Sequence, residues 1–262
     1  MPITTKKIYV AHFIRCGSTF INEFIFELDD FEAAIPSHFF EDKIFKKHIC
    51  ICSYREPEEW YFSQWNYARQ RKRGYIYRLI HSRIFRLKHL KASIGRSYLS
   101  TFKIFLGIFI NIKNPNQYFE EDSLFNFIKL LNSMDFKKIT GFKNFSHNQG
   151  AMFDWLCLSS FSNKTKLCDE KDPEKFLQKN SSINHYIYLH GMDKYLFDIL
   201  EENGYDRAYL EMKLDQITPN RNRTKDNLNI KNYLNNDIIN YLEIKETFIH
   251  SLVQNNVHNK QV

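Results

Sequence analysis

KIYVAHFIRCGSTF, residues 7–20, is the stretch whose reading decides the fold. Lys7 to Ile14 is apolar and β-prone, the pattern of a buried strand. Arg15-Cys16-Gly17 then makes a short turn. An apolar-periodic stretch follows from Ile21 to Leu28. Strand, glycine turn and helix in that order form a natural anion site, because backbone N–H groups point outward there and the helix dipole favours negative charge. Gly17 lets the backbone approach closely, Ser18 and Thr19 add hydroxyl donors, and Arg15 adds a fixed positive charge. A Walker A loop would read G-x-x-x-x-G-K-[ST]. Here the first glycine is absent, and Ser18 stands where the lysine belongs.

Working outward, His48 to Tyr54 (HICICSY) reads as a second buried strand, with Cys50 and Cys52 on one side of it. His185 to His190 (HYIYLH) reads as a third. Phe31 to Phe40 has room for a short strand before His38. Pro57 suits the first position of a helix, and Glu58 and Glu59 suit its positive end. Ser123 to Leu131 is a short amphipathic helix with Leu124, Phe127, Ile128 and Leu131 on one face. Asn148 to Leu158 reads as helical. Asp193 is placed to cap a helix that runs to Asn203, with Gly204 as its stop. Tyr233 to Val253 reads as one last helix, while Asn114-Pro115-Asn116, Ser159 to Ser182 and Thr218 to Asn229 read as loops. The expected architecture is a single α/β domain over residues 1–262, a three-layer arrangement with a central, mainly parallel sheet flanked by helices.

A chain of 262 residues can bury a sizeable core in one such domain. Its net charge of +7 is not evenly spread. Ten basic residues and no acidic one lie between Arg69 and Arg96, and the other 27 Lys and Arg are outnumbered by 30 Asp and Glu. Leu79, Ile80, Ile84, Phe85 and Leu87 interleave with those charges at helical spacing. A solvated helix face, an acidic glycan and an anionic membrane surface are all readings of this segment. No familiar nucleic-acid motif accompanies it, so no nucleic-acid partner is expected. The five cysteines are scattered, with no CxxC pair, and fit a reduced compartment better than a disulfide framework. They offer no zinc-ligand pairs, and no metal is expected. The most apolar later stretch, Phe102 to Ile112, is interrupted by Lys103 and is far short of a membrane span. The expected location is cytoplasmic, with peripheral contact at the inner membrane face left open.

Arg15-Cys16-Gly17-Ser18-Thr19-Phe20 resembles the 5′-phosphosulfate loop of sulfotransferases that use 3′-phosphoadenosine 5′-phosphosulfate (PAPS). That loop reads K-x-G-T-T or, in several carbohydrate sulfotransferases, R-S-G-S-S-F. A second element has the family's spacing: a strand ending in Arg55, then Pro57, then Ser63 six residues later. The resemblance implies a P-loop-related fold, with PAPS as the donor. It implies that Arg15 stabilises charge on the departing oxygen, and that Cys16, Gly17, Ser18, Thr19 and Phe20 line the loop. It also implies that Arg55 and Ser63 hold the 3′-phosphate, a role suited to the bidentate arginine fork. Asn148-Gln149, and the polar stretch Asn220 to Thr224 before the final helix, resemble further family features. On that resemblance Arg221 and Arg223 close over the 3′-phosphate. Beyond residue 65 the likeness is weaker, and the basic segment has no counterpart in it.

Sulfuryl transfer needs a base for the acceptor proton. Family members use His or Glu near the loop, and the candidates here are His38, Glu41, Asp42 and His12, with His38 first and Glu41 second. The expected reaction is transfer of a sulfuryl group to a carbohydrate hydroxyl, the basic segment pointing to an anionic or lipid-linked glycan. Two other readings stay open: a divergent nucleotide phosphotransferase, and a non-catalytic binder of acidic glycan or membrane.

Overall fold

The computed structural model describes residues 3–13, 15–34, 47–72, 75–82, 84–86, 112–140, 149–160, 181–217 and 228–258. The strand expected over Lys7 to Ile14 is shorter, Ile8–Ala11 (β2), and a three-residue strand, Ile3–Thr5 (β1), precedes it. Lys6 and Lys7 turn the chain between them. Thr5 Oγ1 fixes that turn by accepting the N–H groups of Lys7 (3.1 Å) and Ile8 (3.0 Å). Helix α1 is Ser18–Phe26, followed by β3, Phe31–Ala34. The second expected strand is β4, Ile49–Tyr54, and the helix begun by Pro57 is α2, Pro57–Arg71. Then come α3 (Tyr75–His81), α4 (Leu124–Leu131), α5 (Met134–Thr140) and α6 (Ala151–Ser160). The third expected strand is β5, His185–Tyr188, and α7 (Met192–Glu202) and α8 (Arg207–Gln216) follow it.

The five strands form one sheet in the order β3-β1-β2-β4-β5. β2 pairs with β4, and β4 with β5, in parallel. β1 is antiparallel to both β2 and β3. The sheet is therefore mixed rather than mainly parallel: β1 alone is reversed, and half of the pairings are antiparallel. The cause is the two-residue turn after Thr5, which is long enough only for a hairpin, whereas parallel neighbours need a crossover.

Helices cover both faces. Tyr9, Ala11, Cys50, Cys52, Tyr54 and Tyr188 face a large aromatic core with Trp60 and Trp65 of α2, Phe127 of α4 and Phe153 of α6. Ile8, Val10, Ile51 and Ile187 face the other way, against α1 and α7. Cys50 and Cys52 do lie on one side of β4, and both are buried free thiols.

Three expectations are corrected in detail. The last helix is broken in two, α9 (Asn236–Lys245) and α10 (Thr247–His258). α7 is capped by Gly191 in a left-handed conformation (φ 82°), with Asp193 in its first turn. Pro115 and Asn116, read as part of a loop with Asn114, begin a 3₁₀ turn, Pro115–Phe119. Part of the basic segment also serves the core. Arg86 is buried, and its Nε and Nη2 donate to the carbonyls of Leu79 (2.6 Å) and Ile80 (2.9 Å) at the end of α3. Arg69 lies over the Trp65 ring and Arg78 over that of Phe85. Arg73, Arg83 and residues 87–96 lie outside the described residues. No helix among the described residues is long and apolar enough to cross a membrane.

The break between α9 and α10 has a physical cause. Glu246 is fully buried and turns into the aromatic layer. Its carboxylate accepts Tyr61 Oη (2.6 Å) and the first-turn amides of α6, Met152 N (2.8 Å) and Phe153 N (3.0 Å). The Ala151 amide is satisfied by Asn132 Oδ1 (2.8 Å) and Tyr61 Oη (3.0 Å). Gly150 leaves room for that carboxylate, since a Cβ there would collide with it. Beside it, Lys137 Nζ pairs with the buried Asp154 (2.9 Å) and donates to the Gln149 carbonyl (2.7 Å). Burial pushes the Asp154 carboxyl up to about 8 against the pull of Lys137. It pushes that of Glu246 up to about 7 against its three donors.

Candidate functional site

The carboxyl ends of β2, β4 and β5 share one rim of the sheet, the place where open α/β sheets bind ligands. Three connections meet there: residues 12–13 and 15–17 before α1, Arg55-Glu56 before α2, and Leu189 to Gly191 before α7.

The first connection is tightly wound. Arg15 (φ 63°) and Gly17 (φ 76°) are both left-handed. The buried Cys16 between them donates its amide to the Phe13 carbonyl (3.3 Å). Gly17 is the N-cap of α1, and no side chain caps that helix. A Cβ on Gly17 would lie 2.5 Å from Leu189 Cδ1 and 2.9 Å from Met192 Cε, so the β5–α7 connection packs directly on the turn. Gly17→Ala is expected to cost about 1–2 kcal/mol from the left-handed backbone alone, with more from that contact. A urea midpoint unchanged from wild type would show that the turn can relax. Ser18 is buried and Thr19 exposed at the start of α1, and Phe20 is half-buried.

A left-handed arginine persists only where its surroundings hold it. Arg15 Nε donates to Ser63 Oγ (3.1 Å), its guanidinium lies 4.5 Å from the centre of the Tyr67 ring, and its carbonyl accepts from Arg55 Nη1 (3.2 Å). The residues singled out from the two separate motifs, Arg15, Arg55 and Ser63, are thus brought together at one rim. His38, Glu41, Asp42, Asn148, Arg221 and Arg223 lie outside the described residues. His12 directly follows β2.

Sequence reasoning missed the acidic side of this rim. Arg55 Nη2 and Nε both donate to Glu59 Oε2 (2.7 and 3.1 Å). Glu59 Oε1 lies 3.1 Å from His190 Nε2, and Glu56 Oε2 lies 3.6 Å from the same nitrogen. Tyr188 Oη donates to Glu56 Oε1. Glu58, one residue away, faces His250 of α10 instead (3.6 Å). Burial and the neighbouring Glu59 hold the Glu56 carboxyl above its ordinary range. Burial also raises that of Glu59, but Arg55 outweighs it and the group is held below its usual value. Glu56, Glu59 and His190 offer three ligand atoms within 4.8 Å of one another, the one such grouping among the described residues. Arg55 and Tyr188 already occupy one oxygen of each carboxylate, which leaves a network of ion pairs. Two signals were available: Arg55 and Glu59 stand four apart at a helix start, and His190 closes the stretch read as the third strand.

Chemically, the rim sets two guanidiniums, a hydroxyl and an uncapped helix start beside two carboxylates and an imidazole. It can hold an anion and move a proton within a few ångströms. The chain matches no protein-family model, no curated protein and no solved structure.

Proposed function

We propose that this protein is a PAPS-dependent sulfotransferase of P-loop-related architecture, transferring a sulfuryl group to a carbohydrate hydroxyl. The observation that carries the reading is the convergence of Arg15, Arg55 and Ser63 at the uncapped start of α1. These are the residues of two motifs that stand 48 positions apart at their ends. In this reading the 5′-phosphosulfate lies at the Gly17 turn and the 3′-phosphate at Arg55 and Ser63. The acceptor oxygen bonds to sulfur as the bond from sulfur to the 5′-phosphate oxygen breaks. The acceptor proton goes to a base, His38 or Glu41, and the charge left on the phosphate is met by Arg15 and the α1 amides. The basic segment favours an anionic or lipid-linked glycan as acceptor, and the protein works in the cytoplasm, any contact with the inner membrane face being peripheral.

The nucleotide tests this directly. The product, 3′-phosphoadenosine 5′-phosphate (PAP), is expected to bind far more tightly than 5′-AMP. Arg55→Ala is expected to remove most of the difference, since a hydrogen bond to a charged group contributes roughly 1.5–3 kcal/mol. Equal calorimetric affinities for PAP and 5′-AMP would sink the assignment. Tighter binding of ATP than of PAPS would favour a phosphotransferase.

A further inference from the structure

Every nitrogen of the Arg55 guanidinium already has an acceptor, two on Glu59 Oε2 and one on the Arg15 carbonyl. Glu59 holds the Nε–Nη2 edge, so a phosphate that takes that edge must displace Glu59 or share it. On its other side Glu59 meets His190, through Oε1 at 3.1 Å. The carboxylate stands between two cations, one permanent and one that exists only when the imidazole is protonated. His190 is open to solvent, with its side chain 58% exposed, so a proton reaches it freely. The groups facing it are Glu56 at the N-cap of α2, Glu59 within α2 and the Tyr188 ring of β5, 5.3 Å from its own. Among the described residues no ion pair joins it to Asp193 or Lys194 of α7, and Glu58 is turned to His250.

We propose that His190 is a positioning residue of the phosphate site: when a phosphate takes the Arg55 fork, Glu59 passes to His190, which takes up a proton from solvent. The idea rests on the reading of Arg55 as a phosphate arm. Its logic is charge balance. Arg55 exchanges one anionic partner for another. Without a new cation, Glu59, Glu56 and the incoming phosphate would have only Arg15 and Arg55 to offset them in a half-buried rim. The imidazole is the side chain suited to change charge near neutral pH. A protonated His190 then fixes Glu59 away from the phosphate and leaves the fork aligned.

The experiment is calorimetric titration of PAP into the full chain at pH 6 to 8, in buffers of different ionisation enthalpy. PAP has a titrating phosphate of its own, so the readout is the difference in protons taken up between wild type and His190→Asn. Wild type is expected to take up more protons than the variant. Its affinity is also expected to fall more steeply with pH, by at most about tenfold per unit for one linked proton. His190→Asn keeps a donor for Glu59 and is expected to bind PAP at pH 8 within a few-fold of wild type. Equal proton uptake and equal pH slopes in the two proteins would overturn the proposal. So would uptake that survives His190→Asn and disappears in Glu56→Gln, which would assign the proton to Glu56. Equal affinity for PAP and 5′-AMP is a different result: it strikes the reading of Arg55 and is seen without counting protons.

Discussion

Arg15→Ala is expected to lower sulfuryl transfer by ~10²-fold or more, the range seen when a main electrostatic donor to a developing anion is removed. In the proposed reaction that charge would appear as the bond from sulfur to the phosphate oxygen breaks, so the loss is expected on turnover rather than on nucleotide affinity. Arg15→Lys restores a cation and is expected to keep much of the activity, although lysine lacks the planar fork. Backbone strain needs its own control, because Arg15 is left-handed and alanine would be strained there as well. Arg15→Gly relaxes the turn while removing the charge. It is expected to be as stable as Arg15→Ala or more so, and equally slow. The measurement is transfer of labelled sulfate from PAPS, with thermal midpoints on the same proteins. Unimpaired turnover in Arg15→Ala would undercut the reading of the whole turn from Arg15 to Thr19.

Glu246→Ala is expected to destabilise the fold by about 3 kcal/mol or more, a large fraction of the 5–15 kcal/mol typical of a domain. The substitution leaves the Tyr61 hydroxyl and two α6 amides without the acceptor they share. Buried donors left unpaired each cost roughly 1–3 kcal/mol. Tyr61→Phe removes one donor and keeps the carboxylate, so it is expected to cost less. The same knot gives the stability a pH dependence. Asp154 and Glu246 are both raised by burial, to about 8 and about 7, so the folded state holds protons that the unfolded chain releases above its ordinary carboxyl range. Their contribution is full below about pH 4 and is lost as pH rises through the folded values, at up to about 1.4 kcal/mol per unit for each proton. Urea midpoints at pH 5, 6, 7 and 8 would show the fall, and Glu246→Gln would flatten it. A midpoint that climbs across that window would mean that both carboxyls stay ionised in the fold.

β4 and β5 were legible because their runs are mostly apolar and β-prone: Ile49–Tyr54 and His185–Tyr188 lie within the expected stretches. β1 was hidden because two of its three residues are threonines. Their hydroxyls are satisfied locally, by backbone groups between Thr5 and Ile8, so polar residues are buried without an apolar signal. That hidden strand is what made the sheet mixed. α8 escaped notice for a similar reason. Only Leu210 is buried on it, and it is held at its start by the Asp206 cap on Tyr209 and by Arg207 pairing with Asp198 and Glu201. A glutamate inside a helical pattern reads as a solvated position, so Glu246 gave no hint that it ends one helix and caps another. At the rim, Arg15, Arg55 and Ser63 were legible from spacing. The carboxylates and His190 were not, because their roles depend on which strand ends lie side by side.

The ties between distant segments also bear on the order in which this chain becomes a protein. Tyr61 is bound to a residue 185 positions later, and Tyr54 Oη donates to the Leu252 carbonyl, 198 positions on. Both tyrosines stand at the foot of the rim that carries Arg55. A nascent chain grows at about 5–20 residues per second. For many seconds, then, the aromatic face built on β4 and α2 waits for the helices that finish it, and Tyr61 and Tyr54 gain these partners only after Glu246 and Leu252 have been made.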